Sequence, residues 1–114
     1  MGKLNVVVAL TTRENDYQAE QAVCAAEIAT RLGVLDDAET LFARCLTLAP
    51  TFLLARAGYA HVLMKQGKFD RSLVHIDHLL AADPDNSAYR ILLASVLIRV
   101  GRHEEAIENY RRVF

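Results

Sequence analysis

A spacing of 34 residues constrains this chain more than any other feature. Gly33, Gly67 and Gly101 stand 34 apart. Ala38, Ser72 and Ala106 keep the same interval, as do Phe42, Ile76 and Tyr110. Pro50 and Pro84 close the first and second copies at that distance. Between these marks apolar residues recur at three- and four-residue steps, the spacing of one helix face. The stretch 53–86 is the clearest copy: two amphipathic runs joined by a break at Gln66-Gly67-Lys68. A fixed period of this length in a helical chain predicts an all-α solenoid of stacked, antiparallel helical hairpins.

Helix signals divide the chain into a leader over 1–16 and three repeats over about 19–52, 53–86 and 87–114, the last incomplete. Within the leader, residues 4–10 are rich in valine and β-prone. Three readings stand open there: a disordered leader, a last helical turn of a preceding repeat, or an extended arm that packs on another subunit. Residues 11–16 are polar and read as a loop, with Asp16 as the N-cap of a helix over 17–32. Gly33 stops that helix. The remaining helices are expected over about 35–48, 52–65, 70–81, 87–100 and 104–114. Asp83-Pro84-Asp85-Asn86 is a strong turn. The third repeat ends before such a turn and without a polar sealing helix, so the chain is expected to be part of a longer protein.

With 114 residues, there is room for one small domain. In a solenoid each repeat packs on its neighbours, so open ends account for a hydrophobic fraction as high as 53%. A net charge of −1 argues against a broad nucleic-acid surface. The apolar run 4–10 is too short to span a membrane and lacks a cleavage pattern, so a cytoplasmic location is the default expectation. Cys24 and Cys45 have no CxxC or histidine partner nearby and read as reduced core thiols.

The pattern resembles the tetratricopeptide repeat family. A small residue recurs at Ala26, Ala60 and Ala94, ahead of the glycine, alanine or serine, large apolar and proline positions already named. The run GRHEEAIENYRR is similar to that family's second-helix pattern. The resemblance covers roughly residues 19–114 and implies a right-handed superhelical solenoid. One departure is clear: where the family often has tryptophan, this chain has Ala22, Arg56 and Arg90. That change implies an adaptation in packing. A second, fainter resemblance is to the repeat region preceding sulfotransferase-like domains in some bacterial proteins. It implies catalysis in a part beyond these residues, which carry no phosphosulfate-binding loop.

The family resemblance implies that the first helix of each hairpin lines a concave face that binds protein. The residues at those places are Val23, Glu27, Thr30 and Arg31, then Ala57, His61, Met64 and Lys65, then Ile91, Ser95, Ile98 and Arg99. Arg31, Lys65 and Arg99 are 34 apart. They suit an acidic peptide or a terminal carboxylate. Equally, they suit helix C-termini, whose dipole favours cations. The family's carboxylate clamp uses asparagine where Glu27, His61 and Ser95 stand, so a full clamp is not expected. Met64, Ile91 and Ile98 make the face partly apolar, fit for an amphipathic helix or an extended segment. Self-association through open solenoid ends is a further expectation.

Catalytic chemistry finds little purchase. His75 and His78 have a spacing that can hold a metal, but no third ligand follows at helical spacing. His61 and His103 lack a nucleophile or acid arranged by sequence, though an unrelated helical enzyme using His61 stays open as an alternative. The glycines end helices and form no phosphate loop. No cofactor is expected. The leading reading is an interaction or self-association module without catalytic activity. Its alternative is the accessory region of a sulfotransferase-like enzyme.

Overall fold

In the computed structural model, the backbone is described for residues 2–114 and the side chains for residues 11–114. The helices are α1 (Gly2–Arg31), α2 (Leu35–Leu48), α3 (Leu53–Lys65), α4 (Phe69–Ala82), α5 (Ser87–Arg99) and α6 (His103–Val113). Among the described residues there is no strand. From α2 onward the observed bounds lie within a residue or so of those read from the sequence.

Helix α1 is the exception. It continues through 11–16, so the expected polar loop is absent and Asp16 lies within the helix, not at its N-cap. Polarity misled here. The stretch holds no glycine or proline, and its side chains support a helical turn: Gln18 Nε2 donates to Glu14 Oε1 at 3.0 Å, one turn away. The backbone of 4–10 is helical as part of α1, so the β-prone reading and the extended arm do not hold; the packing of its side chains lies outside the described side chains.

The three glycines build the same corner. Gly33, Gly67 and Gly101 have φ of +77°, +80° and +85°, the left-handed region that glycine enters without steric cost. At Gly67 the glycine amide donates to Met64 O at 3.0 Å, and the next amide, Lys68, reaches back to Leu63 O at 2.9 Å. Val34 to Ala29 and Arg102 to Leu97 repeat the longer bond at 2.9 and 2.8 Å. This paired arrangement is a Schellman closure. The residue after each glycine then starts the following helix: the carbonyls of Val34, Lys68 and Arg102 accept from Ala38, Ser72 and Ala106. One glycine therefore turns the chain between two helices with no side-chain cap. The turn at 83–86 works differently. Asn86 Oδ1 accepts from the Tyr89 amide at 3.1 Å, a side-chain N-cap for α5.

The chain divides into two compact units, Met1–Ala55 and Arg56–Phe114. In the first, α1 packs on α2. Ala19, Val23 and Ala26 of α1 are buried, as are Ala38, Phe42 and Cys45 of α2. The Cys45 thiol donates to Ala19 O at 3.5 Å, and burial pushes its pKa up. In the second unit, Ala60, Met64, Ile76 and Val96 form one core drawn from α3, α4 and α5. Ala94, Leu97 and Ala106 form another between α5 and α6. Ser72 is fully buried, and its Oγ donates to Ala60 O at 2.7 Å, so the hydroxyl is satisfied across the hairpin.

Candidate functional site

The residues expected on the first-helix face separate into two groups. Val23 and Met64 are 3% and 7% exposed, so both belong to the core. Met64 packs with Ala60, Ile76 and Val96. A partner cannot reach it without opening that cluster, so both residues drop out of the candidate face. Glu27 is half-buried and Arg31 exposed at the end of α1, in the first unit. Thr30 is half-buried and bonded back to Ala26 O at 2.8 Å.

In the second unit α3 and α5 present the rest. Lys65 and Arg99 are exposed in the last turns of their helices. Ile91 and Ile98 are 38% and 44% exposed. Ala57, His61 and Ser95 are half-buried. Ser95 Oγ donates to Ile91 O at 2.9 Å, leaving its lone pairs to accept. His61 sits one helical turn before Lys65. Burial first, and the Lys65 charge second, push its pKa below the ordinary imidazole value, so the ring is neutral at pH 7. The accessible part of this face thus combines two cations, two branched apolar side chains and a neutral imidazole.

A second feature escaped the sequence reading. Arg56 and Arg90 each reach across their own hairpin. Arg56 Nη1 lies 2.9 Å from His75 Nδ1, and Arg90 Nη1 donates to Asn109 Oδ1 at 3.3 Å. Both pairs are 19 residues apart, so consecutive repeats use one register. The same places in the first repeat hold Ala22 and Leu41, an apolar pair. Two repeats therefore carry a long cation paired to a polar acceptor where the first carries an apolar pair. The signal was present as a matched change at two positions, but only the fold says they face each other.

His78 is exposed, and His75 Nδ1 is already engaged by Arg56. Among the described residues no group of three or more His, Cys, Asp or Glu is placed to hold a metal ion. Cys24 is exposed, which corrects its reading as a core thiol. The buried stripe of α1 runs Ala19, Val23, Ala26, and Cys24 lies about 100° round the helix from Val23. No described helix is long and apolar enough to cross a membrane.

Known proteins place this architecture. No curated protein matches the chain in sequence. Among solved structures it is similar to MamA (41-end) from Desulfovibrio magneticus RS-1, with a TM-score of 0.77 and 24% identity over 89% of this chain. It spans 56% of that MamA chain, a little over half. The TPR2B domain of yeast Sti1, solved as a pHsp70 complex, gives a TM-score of 0.79 at 18% identity, covering 85% of this chain and 78% of that one. The second TPR of Spaghetti (RPAP3), bound to the HSP90 peptide SRMEEVD, gives 0.79 at 17% identity, covering 88% and 93%. At this level of identity these likenesses establish the fold, the all-α repeat solenoid expected from the period. The tetratricopeptide repeat profile matches residues 29–96 and 63–114, together well over half of the sequence. The chain belongs to the tetratricopeptide repeat family.

Proposed function

We propose that this chain is a protein-interaction module without catalytic activity, and that the exposed α3–α5 face receives an acidic, partly apolar peptide segment. One observation carries the reading. Lys65 and Arg99 are exposed at helix ends whose carbonyls are already taken by the backbone amides of the Schellman closures. They are not needed there as hydrogen-bond caps, although the helix dipole still favours them. Exposed Ile91 and Ile98 supply apolar contact beside them. Two structures of the same fold were solved with partners, one as a pHsp70 complex and the other bound to the acidic HSP90 peptide SRMEEVD. Lys65→Glu tests this reading, with a fluorescent SRMEEVD peptide as the probe. Reversing one exposed charge is expected to cost about 1 kcal/mol, roughly fivefold in Kd, with helicity unchanged. Unchanged affinity in a folded variant removes this face from the reading.

Exposed apolar side chains favour self-association as a second mode. Ile28 and Leu32 of the first unit are 55% and 73% exposed, and Ile107 of the second is 51% exposed. Sedimentation at several concentrations should show a mass rising with concentration. A constant monomer mass rules this mode out. No described residue favours the accessory-region alternative beside a sulfotransferase-like domain.

A further inference from the structure

The Arg56–His75 pair has a property that Arg90–Asn109 lacks. A guanidinium can only donate, so the His75 Nδ1 at 2.9 Å must accept. The ring is then neutral, with its proton on Nε2. An asparagine oxygen accepts at any ordinary pH; an imidazole nitrogen accepts only while unprotonated.

The charged groups that act on the His75 titration, and the ring stacked on it, come from both helices of the hairpin. From α3 they are Arg56 and Tyr59, whose ring centroid lies 4.7 Å from the imidazole at a tilt of 56°. From α4 they are Arg71 and His78. Arg71 Nη2 donates to the Tyr59 hydroxyl at 2.7 Å, which carries its positive charge towards the same ring. Each of these groups that bears charge bears it as a cation. Burial first, then Arg56, His78 and Arg71, push the His75 pKa below the ordinary value of 6.5.

We propose that His75 is an acid-sensitive latch on the α3–α4 hairpin: a proton at Nδ1 turns the Arg56–His75 hydrogen bond into a meeting of two cations and loosens α3 from α4. The sign follows from proton linkage. The unfolded chain holds this proton more tightly than the folded one. The latch therefore contributes fully above about pH 6.5 and is lost as pH falls through the lower, folded-state pKa. His61 on α3 is depressed in the same direction, so the experiment must separate the two. Because α3 also carries Lys65, the latch offers acid control of the face proposed above, but it does not depend on that proposal.

His75→Asn supplies the separation, since it installs the acceptor that the third repeat already uses. Melting temperature is compared at about pH 7.5 and about pH 5 in the wild-type and variant chains. Wild type is expected to lose several degrees more than His75→Asn over that interval. The imidazole C–H resonances of wild type, assigned by comparison with the variant or by through-bond correlation, report the pKa directly. His75 is expected to titrate below 6.5. Equal losses in the two chains overturn the latch, and so does titration of His75 at or above its ordinary value. If His75→Asn does not fold, the wild-type titration alone decides.

Discussion

Ile76→Ala is expected to lower the unfolding free energy by about 2–5 kcal/mol. Ile76 is fully buried on α4 and packs with Ala60, Met64 and Val96. Half-buried Phe69, Leu73, Leu80, Leu92 and Leu93 surround that cluster. One side chain thus holds together α3, α4 and α5. Removing three carbons forfeits about 0.8 kcal/mol each in transfer, and the cavity adds to this because helices on several sides cannot all collapse inward. A domain of this size has only about 5–15 kcal/mol to lose. Urea unfolding should show a lower midpoint with an unchanged slope. Ile107→Ala is the control: its side chain is half exposed, and the change should stay within about 0.5 kcal/mol. If Ile76→Ala costs no more than Ile107→Ala, the assigned core is wrong.

Ala94→Leu should destabilise by about 1–3 kcal/mol, for the opposite reason. Ala26, Ala60 and Ala94 recur at the repeat interval, and all three are fully buried. Ala94 packs with Leu97 and Ala106, with Leu93 and Tyr110 against them. A methyl group is what allows α5 and α6 to lie close. Three added carbons must force rotamers off their minima or push α6 away. Ala88→Leu, exposed in the first turn of α5, adds the same carbons to solvent and should leave stability nearly unchanged. The comparison is read by urea unfolding. Equal effects at 88 and 94 would mean that close approach is not what keeps position 94 small.

Both predictions concern positions that the period had already marked. Ala60, Ala94 and Ile76 were legible because the stacking of identical hairpins demands the same residue size at the same place. Glycine was legible for a stricter reason. The corner after α1, α3 and α5 needs positive φ, which few other residues adopt, and no hydrogen-bonding side chain is required to complete it.

The candidate face was legible only in part. Lys65, Arg99, Ile91 and Ile98, which the resemblance assigned to that face, are exposed. Met64 occupies a place equivalent to exposed Ile98, yet it is buried. Val62 and Val96, on other sides of their helices, are fully buried as well. On α3 and α5 apolar residues lie around much of the helix, so no single stripe marks an inside. Helix α5 shows why: it packs on α4 and on α6. A helix held on two sides has no one buried face for a 3.6-residue period to report.

Helix extent at the start of the chain was misread from polarity, since a charged helical turn and a loop share the same composition. The Arg56–His75 and Arg90–Asn109 pairs needed the fold for another reason. Nineteen residues is no helical spacing, and nothing local relates the two positions.

The sequence by itself determined the repeat length, the helix ends from α2 onward and the small residues at the helix crossings. Each of these answers to a local rule or to the identity of the repeats. Tertiary structure alone decided which equivalent positions stay exposed, and that an arginine faces a histidine in one repeat and an asparagine in the next. Those outcomes depend on contacts between side chains brought together only when one helix lies down against the next.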